Sequence, residues 1–154
     1  MTRGSPEVVE LAGGKLMMIA RTQMGDIATS RSDDGGDHWS EPSRLSVNAP
    51  ESPATIRRVP ATGDLLLVWN NNYQPGAGHG GARTPLTTAI STDEGQTWRA
   101  VRNLETAADQ SFAYTSVLFV RDRLLLSYYV GDAKTGHISS RFRSLPVRWL
   151  YSSP

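Results

Sequence analysis

Apolar residues fall in short runs separated by clusters of Gly, Pro, Asn and Asp, and this spacing predicts strands rather than helices. The runs read as strands are Val8–Leu11, Leu16–Arg21, Ile27–Ser30, Thr55–Val59, Leu65–Trp69, Leu86–Ser91, Ser116–Val120, Leu124–Tyr129 and Ile138–Val147. Three pairs read as hairpins. Gly13-Gly14 joins the first two runs where a tight turn needs positive φ, Ala61-Thr62-Gly63 repeats the idea, and Arg121-Asp122-Arg123 makes a third. No segment carries a 3.6-residue apolar stripe over three turns, so the chain reads as all-β.

The pattern also repeats. Ser32-Asp33-Asp34-Gly35-Gly36-Asp37-His38-Trp39 and Ser91-Thr92-Asp93-Glu94-Gly95-Gln96-Thr97-Trp98 place Ser, Asp, Gly and Trp at identical offsets, 59 positions apart. A strand pair and a third strand precede each copy, and a further group of strands follows the second. Three units of about four strands, with approximate bounds 5–50, 51–106 and 107–151 inside a single 1–154 domain, read as propeller blades. Each aspartate is expected to fold back onto backbone N–H groups of its own loop, and each tryptophan to bury its ring between sheets. Asp34 and Asp93 are therefore expected to form turns rather than to catalyse.

Composition narrows the chemistry. Sixteen Lys and Arg against fifteen Asp and Glu leave a net charge of +1. That balance gives no general attraction to nucleic acid or to an anionic membrane, and neither is expected as a partner. Cysteine is absent, which removes disulfides, thiol catalysis and Cys-bound zinc. No cofactor and no metal site is expected. The opening Met-Thr-Arg-Gly-Ser-Pro-Glu lacks the apolar core of a signal peptide. Location thus reads as cytoplasmic if this start is genuine, and as secreted or periplasmic if an upstream segment is missing.

The eight-residue motif, Ser-x-Asp-x-Gly-x-Thr-Trp in its second copy and with His38 in place of Thr in its first, is similar to the Asp-box of the sialidase (neuraminidase) superfamily. Segments Glu7–Arg21, Ser52–Asn70, Arg83–Trp98, Ala113–Tyr129 and Ser144–Tyr151 also resemble bacterial members. The resemblance implies a six-bladed sialidase-like β-propeller, of which this chain supplies the C-terminal half. Half a ring leaves a blade face and strand edges uncovered, so self-association, or poor stability of the chain alone, is expected.

The resemblance further implies an exo-α-sialidase-type glycoside hydrolase acting on a sialylated glycan or a related acidic sugar. Arginine suits the sugar's carboxylate because its planar charged fork bonds both oxygens. Arg21, ending its strand before the first motif, and Arg83, eight positions before Ser91, match the family's second and third carboxylate-binding arginines. Tyr114 matches the catalytic nucleophile, sialidases being glycosidases that use a tyrosine. A phenol needs a base. The family's glutamate position falls on Ser5 here, and Glu7, on the same strand face, is the nearest substitute. The first arginine and the general-acid aspartate have no counterpart, so the chain alone is expected to be inactive. A non-catalytic glycan- or protein-binding propeller, and a hydrolase of another sugar, remain as alternatives. His79 lies in the glycine-rich stretch Asn70–Gly81, expected to be mobile and to border the site. Tyr128 and Tyr129 are expected to pack, and Arg141 and Arg143 to decorate the outside.

Overall fold

A computed structural model describes residues 5–152. Three antiparallel sheets follow one another along the chain. The first comprises β1 (Glu7–Glu10), β2 (Leu16–Arg21), β3 (Ile27–Ser32) and β4 (Ser43–Arg44). The second comprises β5 (Thr55–Arg58), β6 (Leu65–Asn70), β7 (Leu86–Ser91) and β8 (Arg99–Glu105). The third comprises β9 (Gln110–Val120), β10 (Arg123–Asp132) and β11 (Ile138–Pro146). Each is a meander in which neighbours in sequence are neighbours in space. Two sheets have the expected four strands, and the third has three among the described residues.

Strand β6 shows why the sheets stack. All six of its residues are buried, although an antiparallel strand with one wet face should alternate. The second sheet is covered on both faces. Leu65, Leu67 and Trp69 enter one core with Val9, Met17, Ile19 and Ile27 of the first sheet. Leu66 and Val68 enter another with Phe112, Leu124, Leu126 and Tyr128 of the third. The far face of the third sheet is open, with Leu118 and Phe142 exposed.

Two strands escape the apolar pattern. β4 is two exposed residues, and β8, Arg-Ala-Val-Arg-Asn-Leu-Glu, is largely polar and exposed at alternate positions. Both are the last strands of their sheets, where little apolar surface is needed.

The two eight-residue motifs form matching turns. Asp34 Oδ1 accepts from the His38 amide (3.0 Å), as Asp93 Oδ1 accepts from the Thr97 amide (2.8 Å). Ser32 and Ser91 each receive a glycine amide on their hydroxyl, from Gly36 and Gly95. His38 takes over the role of Thr97: its Nδ1 lies 2.6 Å from Asp34 Oδ2, where Thr97 Oγ1 donates to Asp93 Oδ2. Bonds from the His38 amide and ring and from Ser32 pull the Asp34 carboxyl down to about 2, and those from Thr97 and Ser91 hold Asp93 well below the usual range. The copies differ at tryptophan. Trp39 Nε1 donates to Gly36 O at 3.0 Å, whereas the Trp98 Nε1 is buried with no partner among the described residues.

Arg141 and Arg143 do not decorate the outside as expected. Arg141 Nη1 lies 2.7 Å and Arg143 Nη2 3.0 Å from the carboxylate of Glu105, a buried residue at the end of β8. The hydroxyl of buried Tyr128 donates to the same carboxylate. Arg141 and Arg143 stand alternately on β11 and so share a face, and that face meets the second sheet. The four side chains fasten the second sheet to the third.

Candidate functional site

Strand register gathers the candidate residues on one rim. Glu7 pairs with Ile19, Thr55 with Val68, and Tyr129 with Ala113. The starts of β1, β5 and β9 therefore lie at the same end of their sheets as the ends of β2, β6 and β10. Strand β5 lies against β1 on one side and β9 on the other. The Thr55 hydroxyl donates to Thr115 O at 2.8 Å and sits 3.3 Å from Glu7 Oε1, so the three innermost strands are linked at their starts.

Tyr114, which precedes the predicted strand Ser116–Val120, lies inside β9. Ser116 pairs with Ser127 and Ala113 with Tyr129, so Tyr114 and Thr115 together face the single residue Tyr128. This is a β-bulge, and Tyr114 holds it with φ of 56°. Left-handed backbone in an aromatic residue is uncommon and costs about 1–3 kcal/mol. A bulge re-aims the side chain that it carries. Here the ring is turned outward, 58% exposed, and meets Tyr129 edge-on at 6.3 Å between centroids. Tyr129 accepts in turn from Ser111 Oγ at 3.2 Å.

Arg83 meets that ring. Its guanidinium carbon lies 5.5 Å from the Tyr114 ring centroid, within cation–π range. The Arg83 carbonyl accepts from the Phe112 amide at 2.8 Å, which fixes the end of the β6–β7 loop against the start of β9. Asn70 adds a second tie, donating from Nδ2 to Phe112 O and to Pro85 O, each at 3.1 Å.

Arg21 stands at the end of β2 on this rim, close to Glu51. Hydrogen bonds from His79 and Gln23 lower the Glu51 carboxyl, with the charges of His79 and Arg21 adding to the effect. Glu7 is directed elsewhere. Its Oε2 lies 2.7 Å from Arg57 Nη1 and accepts the Ile56 amide at 3.1 Å. Among the described residues no hydrogen bond joins Glu7 to Tyr114. Ser5 carries no carboxylate, and among the described residues no carboxylate is hydrogen-bonded to the Tyr114 phenol. The structure thus joins Arg83 with Tyr114, sets Arg21 on the same rim beside Glu51, and draws Glu7 toward Arg57.

Glu51 was invisible to the sequence reading. It lies in Asn48-Ala49-Pro50-Glu51-Ser52-Pro53, with no periodicity or motif to mark it. Tyr129 was read only as a packing residue, and its contact with Tyr114 depends on the bulge. Among the described residues no group of three or more His, Asp or Glu is arranged to hold a metal ion. No helix among them is long and apolar enough to cross a membrane.

The chain belongs to the BNR repeat-like domain family, which it matches over residues 3–129. Its three sheets are blades of a sialidase-like β-propeller, present in part. The intramolecular trans-sialidase from Ruminococcus gnavus, in complex with oseltamivir carboxylate, aligns with a TM-score of 0.79 at 18% identity, covering 99% of this chain and 34% of that one. The leech intramolecular trans-sialidase complexed with 2,7-anhydro-Neu5Ac aligns at 0.75 and 17%, covering 96% and 24%. The α-L-arabinofuranosidase from Fusarium graminearum, in complex with an iminosugar inhibitor, aligns at 0.64 and 17%, covering 92% and 44%. This chain therefore spans less than half the length of each. No curated protein matches it.

Proposed function

We propose that this chain forms the carboxylate-binding part of a glycan site in a sialidase-type propeller, with a sialylated glycan or a related acidic sugar as its ligand. One observation carries the reading. Tyr114 is held in a left-handed bulge with its ring outward, and the Arg83 guanidinium lies over that ring. A phenol and a permanent cation at one rim suit a sugar whose carboxylate sits on the reacting carbon. In this reading Arg83 and Arg21 hold the carboxylate, and the Tyr114 oxygen gives up its proton and bonds to the anomeric carbon as the bond to the aglycone oxygen breaks, that oxygen leaving with a proton. A retaining displacement would leave a tyrosyl–glycosyl bond for water or a second hydroxyl to open. The similarity to two trans-sialidases supports the sugar class, and the similarity to an arabinofuranosidase argues for including a neutral sugar in the test.

A second reading, a glycan-binding propeller without catalysis, is favoured by Glu7. Its carboxylate is taken up by Arg57 and the Ile56 amide, and Ser5 offers no replacement. Binding without turnover is therefore the outcome expected of this chain by itself.

Titration calorimetry with N-acetylneuraminic acid and with arabinose tests the proposal on the wild type and on Arg83→Ala. Binding confined to the carboxylated sugar and weakened at least tenfold by Arg83→Ala is expected. Equal binding of arabinose, or sialic-acid binding indifferent to Arg83, would overturn it. Measurable hydrolysis of an activated sialoside by this chain would overturn the second reading instead.

A further inference from the structure

We propose that Glu51 is the positioning residue of this rim: its carboxylate helps fasten the glycine-rich β6–β7 loop to the first sheet and thereby sets Arg83, two residues before that loop's end. The proposal deepens the reading above and rests on it for the identity of the ligand.

The contacts run across three segments. Glu51 Oε2 accepts from Gln23 Nε2 at 2.8 Å and lies 3.0 Å from His79 Nδ1. The backbone answers in kind, because the Glu51 amide donates to His79 O at 2.8 Å. Gln23 belongs to the β2–β3 turn, two positions after Arg21. His79 belongs to the β6–β7 loop and holds a left-handed φ of 53°. Glu51 itself lies between the first and second sheets, and its side chain is only 12% exposed. One well-shielded carboxylate therefore joins a turn of the first sheet to a loop of the second.

The loop is built to pass this constraint on. The Gln74 amide donates to Gly80 O at 2.8 Å and closes its outer part. Asn72 Nδ2 donates to Thr84 O at 2.9 Å and closes its base around Arg83. The Tyr73 ring lies so close to Gly25 that a Cβ there would meet it at 2.6 Å, so the ring seats the loop on the β2–β3 turn a second time. The sequence suggested a mobile loop, whereas these bonds tie it at its base, at its outer part and on its neighbour. Freed of the Glu51 carboxylate, the outer part would keep its internal bonds, the Tyr73 seat and the main-chain bond to His79 but lose the side-chain bridge between Gln23 and His79, and Arg83 would sample more orientations over Tyr114. The loop's glycines give it the freedom to do so.

Nuclear magnetic resonance on the 154-residue chain reads this without any ligand. An Arg83 side chain above the Tyr114 ring carries an upfield ring-current shift. In Glu51→Ala and in His79→Ala that shift should fall toward the random-coil value, and amide exchange in residues 74–81 should quicken at least tenfold. Core methyls of Leu66 and Leu124 should stay in place. Glu51→Gln keeps the shape and one accepting oxygen, so it guards against simple misfolding and should give an intermediate shift. An unchanged Arg83 shift and unchanged loop exchange in both alanine variants would overturn the proposal.

Affinity for N-acetylneuraminic acid supplies the second arm. Glu51→Ala should weaken it on the order of tenfold, the scale expected when a supporting residue is lost and a contact loosens. If the wild type does not bind that sugar, the functional reading fails while the Arg83 shift still decides the role of Glu51.

Discussion

Replacing Tyr114 by glycine should give a more stable protein than replacing it by alanine, an inversion of the usual order for a strand. The backbone φ of 56° lies where an L-residue with a Cβ is penalised by roughly 1–2 kcal/mol and glycine is not. Both substitutions remove the same ring contacts. The edge-on pairing with Tyr129 is worth about 0.5–1.5 kcal/mol, and the Arg83 cation–π contact about 0.5–1 kcal/mol at this exposed site. Alanine keeps the strain and loses the contacts, for a net cost of about 1–2.5 kcal/mol. Glycine loses the contacts and also releases the strain, less about 0.7 kcal/mol for the greater freedom of the unfolded chain. The expected gap is about 1 kcal/mol in favour of glycine. Urea unfolding followed by tryptophan fluorescence resolves it, since a slope of about 1.5 kcal/mol per molar turns that gap into a midpoint difference of about 0.7 M. An alanine variant as stable as the glycine variant would mean that the bulge relaxes and stores no strain. The case for a residue retained at a cost to stability would then collapse.

Three further substitutions probe contacts elsewhere in the fold. Glu105→Gln should cost about 1–2 kcal/mol at neutral pH, because it removes the charge that Arg141 and Arg143 face, while solvent around the half-exposed arginines screens part of the loss. Burial opposes ionisation of this carboxyl, yet the bonds from Tyr128, Arg141 and Arg143 hold it below the ordinary 4.5, so its stabilisation is present above that value and is lost as the pH falls through the folded value. Urea midpoints of wild type and variant should therefore draw together as the pH is lowered beneath 4.5, and a gap independent of pH would contradict the assignment. The two tryptophans should also part company. Trp39→Phe forfeits a hydrogen bond worth about 1 kcal/mol, whereas Trp98→Phe removes a buried N–H with no partner, so thermal melts should show Trp98→Phe as the milder change.

Much of the architecture could be read from residues that act locally. The two eight-residue turns close on themselves through their own Ser, Asp and Gly atoms, so identical spacing in the sequence means identical geometry in space. The hairpins around Gly13-Gly14 and Gly63 are equally local. Strand β8 was hidden because its residues alternate in exposure without alternating in hydrophobicity: Arg99 and Arg102 carry charge wherever they fall on the pleat. The fate of Arg141 and Arg143 was hidden for another reason. Parity along β11 placed them on one face, but only the packing of the second sheet against the third decides whether that face is wet.

The candidate site divides along the same line. Arg21, Arg83 and Tyr114 are candidates by resemblance to the sialidase superfamily, each located by a landmark of the sequence: a strand end, a glycine-rich loop and the stretch just before a predicted strand. What those residues do to one another is a property of contacts between segments far apart in sequence. The bulge that turns Tyr114 outward exists only in the pairing of β9 with β10. The capture of Glu7 by Arg57 exists only where β1 meets β5, and the clasp of Glu51 only where three loops converge. The resemblance thus selects which arginine to test. Whether the phenol beside it finds a base is decided one level higher, and at that level Glu7 is already bonded to another group.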